Sequence, residues 1–262
     1  MRLLSPASAN TKTRKSAEKA QEYRVVSLML SPSDSAGGKT NCPNATSSCI
    51  AACVGGPTVG LAQVFAHINE ARKEKTRFLQ SDRANFLRQL IEELQTEQRL
   101  ADRDGTTLAV RLNTFSDIPW EHKHYGEIPQ QFPNAVYYDY SKVYSRVLTS
   151  PSNYTLCASW TEEPADQTSC LNLLEAGHNV AVVFAEEGPF AGNRALGQRL
   201  PARWELGGHR YEVYDGDDTD LRFLDPGRTR AGYGRICGLR LKAGSNDSRR
   251  KSLDSGFCQI VR

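Results

Sequence analysis

The sequence lacks a long apolar run. Of its 262 residues 39% are hydrophobic and 24% are charged, and no stretch approaches the ~18 consecutive apolar residues that a membrane-spanning helix needs. The N-terminal residues are basic but contain no apolar core like that of a secretory signal. We therefore expect no bilayer crossing and a cytoplasmic location, where thiols stay reduced and clustered cysteines are more often metal ligands than disulfides.

The chain also lacks a strong net charge. Its formal charge is only +3, which gives little support to nucleic-acid binding. Two short basic tracts, at residues 12–15 and 249–251, are typical of solvated termini. The length suits one large domain or two small ones, and we interpret residues 1–22 as a basic N-terminal segment and residues 23–262 as a single α/β domain.

Predicted strands alternate with helices or long loops, which is typical of a parallel sheet with right-handed crossovers. Short aliphatic or β-branched runs predict strands at 23–30, 107–113, 135–142, 154–160 and 179–184. Apolar residues spaced three and four apart predict a helix over 59–78, through Leu61, Val64, Phe65, Ile68 and Ala71. A second helix is predicted from a cap at Ser81 or Asp82 to about Gly105, through Phe86, Leu87, Leu90, Ile91 and Leu94. We expect the sheet to curl into a complete or partial β/α barrel, with an open doubly wound sheet as the alternative.

Every predicted strand ends in polar side chains. In parallel α/β folds the carboxyl ends of the strands meet at one edge, where ligands bind, although any single polar residue there is equally typical of a turn or a helix cap. Asn113, Asp139 and Ser159 are therefore expected to surround one cavity. The candidates to hold substrate or cofactor are Asp117, Asp139 and Lys142 as catalytic residues, and Asn113, Ser116 and Ser159 as cofactor-binding residues.

Cysteine is scarce, with seven residues, yet three of them lie in the segment 41–56, which we call the cysteine loop. The spacing of Cys42, Cys49 and Cys53 lets three thiolates converge on one metal centre. Structural zinc usually takes four ligands, for which His67 is the available fourth, and often begins with a C-x2-C pair that is missing here. An iron–sulfur cluster held by three thiolates needs no fourth ligand. In the alternative interpretation Cys49 and Cys53, one helical turn apart, are core residues, but the flanking residues are polar.

The other four cysteines and two further motifs are interpreted as structural. The four aspartates at 215, 217, 218 and 220 are oxygen-rich, but the glutamate that closes a calcium-binding loop is missing. We predict a turn there, followed by a strand at 221–224. His122 and His124 are predicted to be exposed.

Several stretches spread over nearly the whole chain resemble the gene product 88 family of phages and plasmids. They are "LLSPASANTKTRKS", "NCPNATSSCIAAC", "ARKEKTRF", "VRLNTFSDIPWE", "YYDYSKV", "GHNVAVVF" and "DGDDTDLRFLDP". The resemblance implies a phage-type protein in the host cytoplasm and no particular activity.

The position of Cys42, Cys49 and Cys53, after the first strand, is similar to that of the cluster cysteines in radical S-adenosylmethionine enzymes. The usual C-x3-C-x2-C spacing and the Gly-Gly-Glu motif after the second strand are absent. This more distant likeness implies a 4Fe–4S iron–sulfur cluster, S-adenosylmethionine as cofactor and a small-molecule or nucleobase substrate. In the alternative function the three cysteines hold zinc, and the chain binds nucleic acid through its basic termini or binds a host protein.

Overall fold

One mostly parallel sheet organises the chain. The structure is a computed structural model that describes residues 1–9, 11–56, 66–186, 199–242 and 246–261. The strands are β1 Leu4–Pro6, β2 Tyr23–Leu28, β3 Thr107–Arg111, β4 Val136–Ser141, β5 Tyr154–Ser159, β6 Val180–Glu186, β7 Arg203–Leu206, β8 His209–Asp215, β9 Ile236–Arg240 and β10 Gln259–Val261. The α-helices within these residues are α1 Thr11–Lys19, α2 Ser47–Ala51, α3 Ala66–Ser81, α4 Arg83–Arg103, α5 Ile128–Gln131, α6 Tyr144–Thr149, α7 Pro164–Glu175 and α8 Asn246–Asp254.

The strand order is β1-β2-β3-β4-β5-β6-β9-β8-β7, and β10 also pairs with β6. Strands β2 to β6 are parallel neighbours in chain order, while β1 and β7 are antiparallel strands at the two ends. The predicted α/β fold with a parallel sheet is confirmed. The sheet is open rather than closed into a barrel, because its first and last strands lie at opposite ends of this order. Strands β2 to β6 nevertheless follow one another as they do in a barrel, without the reversal of order that defines a doubly wound sheet.

Helix α4 packs its apolar stripe on one face of the sheet. Phe86, Leu90 and Leu94 are fully buried together with Leu108 and Val110 of β3. The side chain of Asp82 caps this helix by accepting a hydrogen bond from the backbone N–H of Asn85 (3.2 Å). Such a cap satisfies one of the N–H groups left free at a helix start, so the predicted position and start of this helix are confirmed.

Helix α3 differs from its prediction. Leu61, Val64 and Phe65 of the predicted stripe lie outside the described residues. Within the helix the buried side chains are Arg72, Thr76 and Leu79, whereas Ala71, expected in the stripe, is exposed. The predicted apolar face is therefore wrong over the described part of the helix, because a buried arginine and a buried threonine occupy positions that a hydrophobic pattern assigns to solvent.

The opposite face of the sheet is covered by α1 and by the segment 216–227. Leu221 packs there with Val25, Ala109 and Tyr138. The strand predicted at 221–224 is wrong, because residues Arg222–Leu224 form a short 3₁₀ turn. The Arg222 guanidinium folds back and donates to the carbonyl oxygen of Gly216 (3.1 Å), so the chain curls over the sheet instead of extending alongside it.

The N-terminal segment belongs to the domain. Leu3 and Leu4 are buried, β1 pairs with β2, and the backbone N–H groups of Leu3 (2.9 Å) and Leu4 (2.7 Å) donate to the carboxylate of Glu93 on α4. The apolar start of the chain thus completes the edge of the sheet, and the division of the chain at residue 22 stays a prediction. None of the helices within the described residues combines the length and the apolar composition needed to cross a bilayer.

Candidate functional site

The cysteine loop folds onto the carboxyl ends of the first parallel strands. Its Asn41 carbonyl accepts a hydrogen bond from the backbone N–H of Asp117 (2.8 Å), beyond β3. The Asn41 side chain donates to the carbonyl of Ser31 (2.8 Å), which follows β2. The Asn44 side chain donates to the carbonyl of Lys142 (3.0 Å), after β4. Three strand ends therefore fix the loop at the edge of the sheet where α/β folds bind ligands.

The three thiols of the loop lie near one another. All are free and half-buried. Burial is the largest of the effects that raise the pKa of Cys42 to about 12, and the neighbouring Cys53, Cys49 and Asp117 raise it further. Burial also raises the pKa of Cys53, and Cys49 again adds to the effect. The charges of neighbouring groups therefore reinforce the effect of burial on the pKa of Cys42 and of Cys53.

Local bonds set the shape of the loop around these thiols. The Cys42 Sγ accepts from the Ser33 N–H (3.3 Å) and lies 3.5 Å from the carbonyl oxygen of Phe115. Thr46 caps α2 by accepting from the backbone N–H of Cys49 (3.1 Å). These bonds hold Cys42 and the start of α2 in place, and the prediction that the three thiolates bind one metal centre stays a prediction.

The described residues form no site for a single metal ion. Within the described ranges no group of three Cys, His, Asp or Glu side chains is placed to hold one metal ion, and His67 is exposed on α3.

A buried arginine stands beside the loop. Arg72 of α3 is 8% exposed and donates through Nη1 to the carbonyl oxygen of Gly55 (3.1 Å). Its guanidinium lies 4.2 Å from the centre of the Phe115 ring, and a Cβ on Gly55 would collide with that ring. Burial lowers the pKa of Arg72, and the nearby Cys53 opposes this shift. Sequence reasoning missed Arg72 because it searched this helix only for apolar periodicity.

Asp117, predicted as catalytic, lies next to the loop in a buried ion network. One oxygen pairs with Arg146, and the other accepts from the Ser141 hydroxyl (3.1 Å) and the Lys142 N–H (2.8 Å). Arg146 also binds Glu121 through Nε (2.6 Å) and Nη2 (3.0 Å). These bonds give Asp117 a structural role at the edge. The catalytic roles of Asp117 and Lys142 stay predictions.

Asn113, Ser116 and Asp139 are also brought together. Asp139 is fully buried and accepts from the Asn113 N–H (2.9 Å) and the Tyr154 hydroxyl (2.8 Å); burial raises its pKa to about 7. The Asn113 side-chain oxygen accepts from the Ser116 hydroxyl (2.8 Å) and the Trp120 ring N–H (3.1 Å). This network fastens the turn after β3, and the cofactor-binding roles of Asn113 and Ser116 stay predictions.

Ser159 does not join this group. Alternate residues of a strand point to opposite faces, so Asp139 shares the helix-covered face with Tyr137, whereas Ser159 shares the other face with Cys157. The expectation that Asn113, Asp139 and Ser159 surround one cavity is therefore wrong, because an open sheet separates the two faces that a closed barrel would bring around one mouth.

The other charged motifs are neutralised by neighbours. In the tract 249–251, Arg249 is buried and donates to the Glu186 carbonyl, while Arg250 (2.9 Å) and Lys251 (2.7 Å) both pair with Asp247. The tract is therefore not a freely solvated terminus. The aspartates of the acidic stretch pair with cations: Asp215 with Arg240, Asp217 with Lys242, Asp218 with Lys19 and Asp220 with Arg111. His122 and His124 are exposed, as predicted.

A second polar cluster lies on the face of the sheet opposite α4, and sequence reasoning missed it. Arg222 contacts the Cys237 Sγ and lies 3.4 Å from the carboxylate of Asp225, which accepts from the Tyr214 hydroxyl (2.7 Å). Burial raises the pKa of Asp225 to about 6. Tyr214 and Cys237 lie 11 and 15 positions from their partners Asp225 and Arg222, and only the fold brings these pairs together, so no short sequence motif indicates the cluster.

Comparison with known proteins gives one match. The sequence profile of a protein family described as Gene product 88 matches residues 2–259 of the chain. No curated protein and no solved structure matches the chain.

Proposed function

The chain belongs to the gene product 88 family, and from this premise we propose that it is an iron–sulfur enzyme of the radical S-adenosylmethionine type, acting on a small molecule or nucleobase, with Cys42, Cys49 and Cys53 as the ligands of its cluster. The observation that carries the proposal is the placement of three free, half-buried thiols in one loop at the carboxyl edge of the sheet. Ligands of parallel α/β folds bind at that edge.

The winding of the sheet also supports the proposal. The cysteine loop follows β2, the first strand of a parallel series that runs in chain order to β6. This is the arrangement of a partial barrel, in which the first loop overhangs the carboxyl ends of its neighbours. The bonds from Asn41 and Asn44 to the segments after β3 and β4 place the cysteine loop in that position.

The chain contributes three thiolates and a partly enclosed edge. When bound, a 4Fe–4S cluster supplies one-electron redox chemistry, and three protein ligands leave one iron open to a small molecule. The half-exposure of the thiols leaves this edge accessible to a ligand. The Asp117–Arg146–Glu121 network holds the adjoining turn rigid through buried, bidentate bonds.

The test is to purify the protein without oxygen, reconstitute it with iron and sulfide, and count both per chain. We expect about four iron and four sulfide in the wild type, and loss of both in Cys42→Ala, Cys49→Ala and Cys53→Ala. The matched control is Cys157→Ala, which removes one buried thiol that packs with Ala181 and Cys237 in the sheet and should keep the cluster. A folded wild type that takes up neither iron nor sulfide would contradict the proposal.

Two further outcomes identify the chemistry. Production of 5′-deoxyadenosine and methionine from S-adenosylmethionine, dependent on a reductant, would support the radical enzyme. Stoichiometric zinc in place of iron would instead favour the zinc-binding module, and binding of nucleic acid by that zinc form would then be measured.

A further inference from the structure

Strand β7 is the last strand of the sheet order, and its only strand partner among the described residues is β8. The N–H of Val213 donates to the carbonyl oxygen of Ala202 (3.0 Å), and opposed residues of antiparallel strands alternate between bonded and non-bonded pairs. Counting from this bond, the N–H and C=O groups of Arg203 and Glu205 point away from β8. We call these groups the outer edge of β7. No residue within the described ranges forms a hydrogen bond to them.

The side chains along this outer edge carry opposite charges. Arg203 and Glu205 are both exposed and lie on the same face of the strand, two residues apart. Glu212, which stands opposite Arg203 on β8, pairs instead with Arg235 (2.8 Å), and neither Arg203 nor Glu205 forms an ion pair with a described residue. Proteins usually protect an exposed strand edge with charged side chains, especially lysine, or with proline. One positive and one negative side chain give no such protection against a second copy of the same strand, because the two charges complement each other.

Antiparallel pairing of β7 with a second copy matches these charges. With Trp204 opposite Trp204 of the second copy, Arg203 stands opposite Glu205 of that copy, and Glu205 stands opposite its Arg203. Because both residues face outward, each Arg–Glu pair also exchanges two backbone hydrogen bonds. A register shifted by two residues would place Arg203 against Arg203 or Glu205 against Glu205, and like charges directly opposite are destabilising. The charges and the backbone therefore select the same register.

There is room for a second strand beside β7. A cavity of about 420 Å³ has a lining that includes Arg203, Trp204 and Glu205 of β7 and Ile260 and Val261 of β10. The ring of Trp204 is half-buried, as are the two aliphatic side chains of β10. These apolar groups give the surface the hydrophobic component that a short pair of strands needs for stability.

We propose that the outer edge of β7 is the contact surface of a homodimer, in which the β7 strands of two copies pair antiparallel about Trp204. Such an interface is isologous, because the same patch serves both copies. Its small size predicts a weak, concentration-dependent dimer. The inference is independent of the proposed function, since the cysteine loop follows β2 and β7 lies at the opposite end of the strand order.

The test is to measure dimerisation of charge-reversed variants by analytical ultracentrifugation over a range of protein concentrations. Arg203→Glu and Glu205→Arg each place like charges opposite one another in both pairs of the dimer, so each should raise the Kd of the dimer about tenfold or more. The double variant Arg203→Glu/Glu205→Arg restores opposite charges and should dimerise like the wild type. The matched control is Arg88→Glu, which reverses an exposed charge on α4 and should leave the Kd unchanged.

A mixture of the two single variants gives the sharpest result. One variant then carries two acidic side chains at the outer edge of β7 and the other carries two basic ones. The equimolar mixture should therefore form a heterodimer at a concentration where each variant alone is a monomer. Glu205→Pro tests the backbone bonds separately, because proline removes an N–H that points outward and leaves the bonds to β8 in place; it should lose the dimer and keep the fold.

If a reversed variant does not fold, as judged by circular dichroism, Arg203→Gln and Glu205→Gln take its place, because each removes the attraction in both pairs. A wild type that stays monomeric at about 1 mM would overturn the proposal. A dimer that Arg203→Glu and Glu205→Arg retain as well as Arg88→Glu does would overturn it too, because its interface would then lie elsewhere on the surface.

Discussion

The chain uses cysteine in two contrasting environments. The three cysteines of the cysteine loop are half-buried at the edge of the sheet, whereas the four cysteines of the strands, α7 and the C-terminal region are at most 4% exposed. The first set lies among turns and a five-residue helix, and the second among packed side chains. Whether a thiol is available for chemistry is therefore decided by the element that carries it.

The strand cysteines show the contrast most clearly. Cys157 on β5 and Cys237 on β9 share a sheet face and interact through their thiols. Strand β6 lies between them, which separates their backbones by about 10 Å, too far for a disulfide. Close packing holds this pair as two thiols, while the cysteine loop leaves its thiols free to take ligands.

We expect the largest loss of stability from a substitution at Gly216, which lies against the thiol of Cys237 on β9. A Cβ at this position would be 2.3 Å from the Cys237 Sγ and 3.0 Å from Leu239. Because such overpacking cannot be relieved in a buried sheet, Gly216→Ala should lose about 3 kcal/mol of stability or fail to fold. Gly227→Ala is the control, since a Cβ there meets no atom within 4 Å. Equal urea midpoints for the two variants would contradict the close packing of this face.

The parts of the fold that follow local patterns could be predicted from the sequence. The five strands from β2 to β6 and helix α4 have the periodicity of their element, and Asp82 has the chemistry of a cap. Strands β1 and β10 have three residues each, too few for a period to be recognised. The run at 221–224 is apolar enough for a strand, but the bonds of Arg222 to backbone carbonyls fold it into a turn.

The candidate site likewise has a part that the sequence predicts and a part that it does not. The three cysteines lie within twelve positions, so their gathering is a local property that the sequence reveals. The partners of that loop come from distant segments: Arg72 approaches from α3, and Arg146 reaches Asp117 across 29 positions. Such pairs depend on how the strands are ordered, and a single sequence carries no signal for them.

The contrast between the two environments can be sharpened at Cys237. Cys237→Ala removes the group that Arg222 Nη1 contacts in the interior. A buried donor left without its partner costs about 1 to 3 kcal/mol, so we expect a loss of about 2 kcal/mol in urea unfolding. Cys258→Ala should cost less, because the buried thiol it removes donates to the Ser252 carbonyl oxygen (3.5 Å), which keeps the hydrogen bond from the Ser255 hydroxyl (3.1 Å). A smaller loss at Cys237 than at Cys258 would mean that the Arg222 contact adds nothing to packing.

A buried carboxyl group in a strand, that of Asp139, makes stability depend on pH. Its folded-state pKa of about 7 exceeds the unfolded value of about 3.9, so between these values the folded state holds the extra proton. The stability that this proton contributes is fully present below about pH 4 and is lost as the pH rises through about 7, with a slope of at most about 1.4 kcal/mol per pH unit.

Asp139→Asn should remove this part of the pH dependence, because the amide does not titrate, while its oxygen still accepts from the Asn113 N–H. Unfolding by urea is measured across the same pH range. The control is Asp102→Asn, which changes an exposed carboxyl group on α4. Identical pH profiles for wild type and Asp139→Asn would show that the strand carboxyl group is ionised throughout.

The smallest effect is expected at Cys49, in the cluster-free protein. Its side chain is half-exposed on α2, and its one capping contact, the bond to Thr46, is made by the backbone N–H, which alanine retains. Alanine also has the higher helix propensity. Cys49→Ala should therefore change the free energy of unfolding by no more than about 0.5 kcal/mol, whereas Thr46→Ala, which removes the cap itself, should cost about 1 kcal/mol. A loss at Cys49 as large as that at Cys237 would mean that the loop thiols also hold the fold together, and the distinction between ligand cysteines and packing cysteines would then fail.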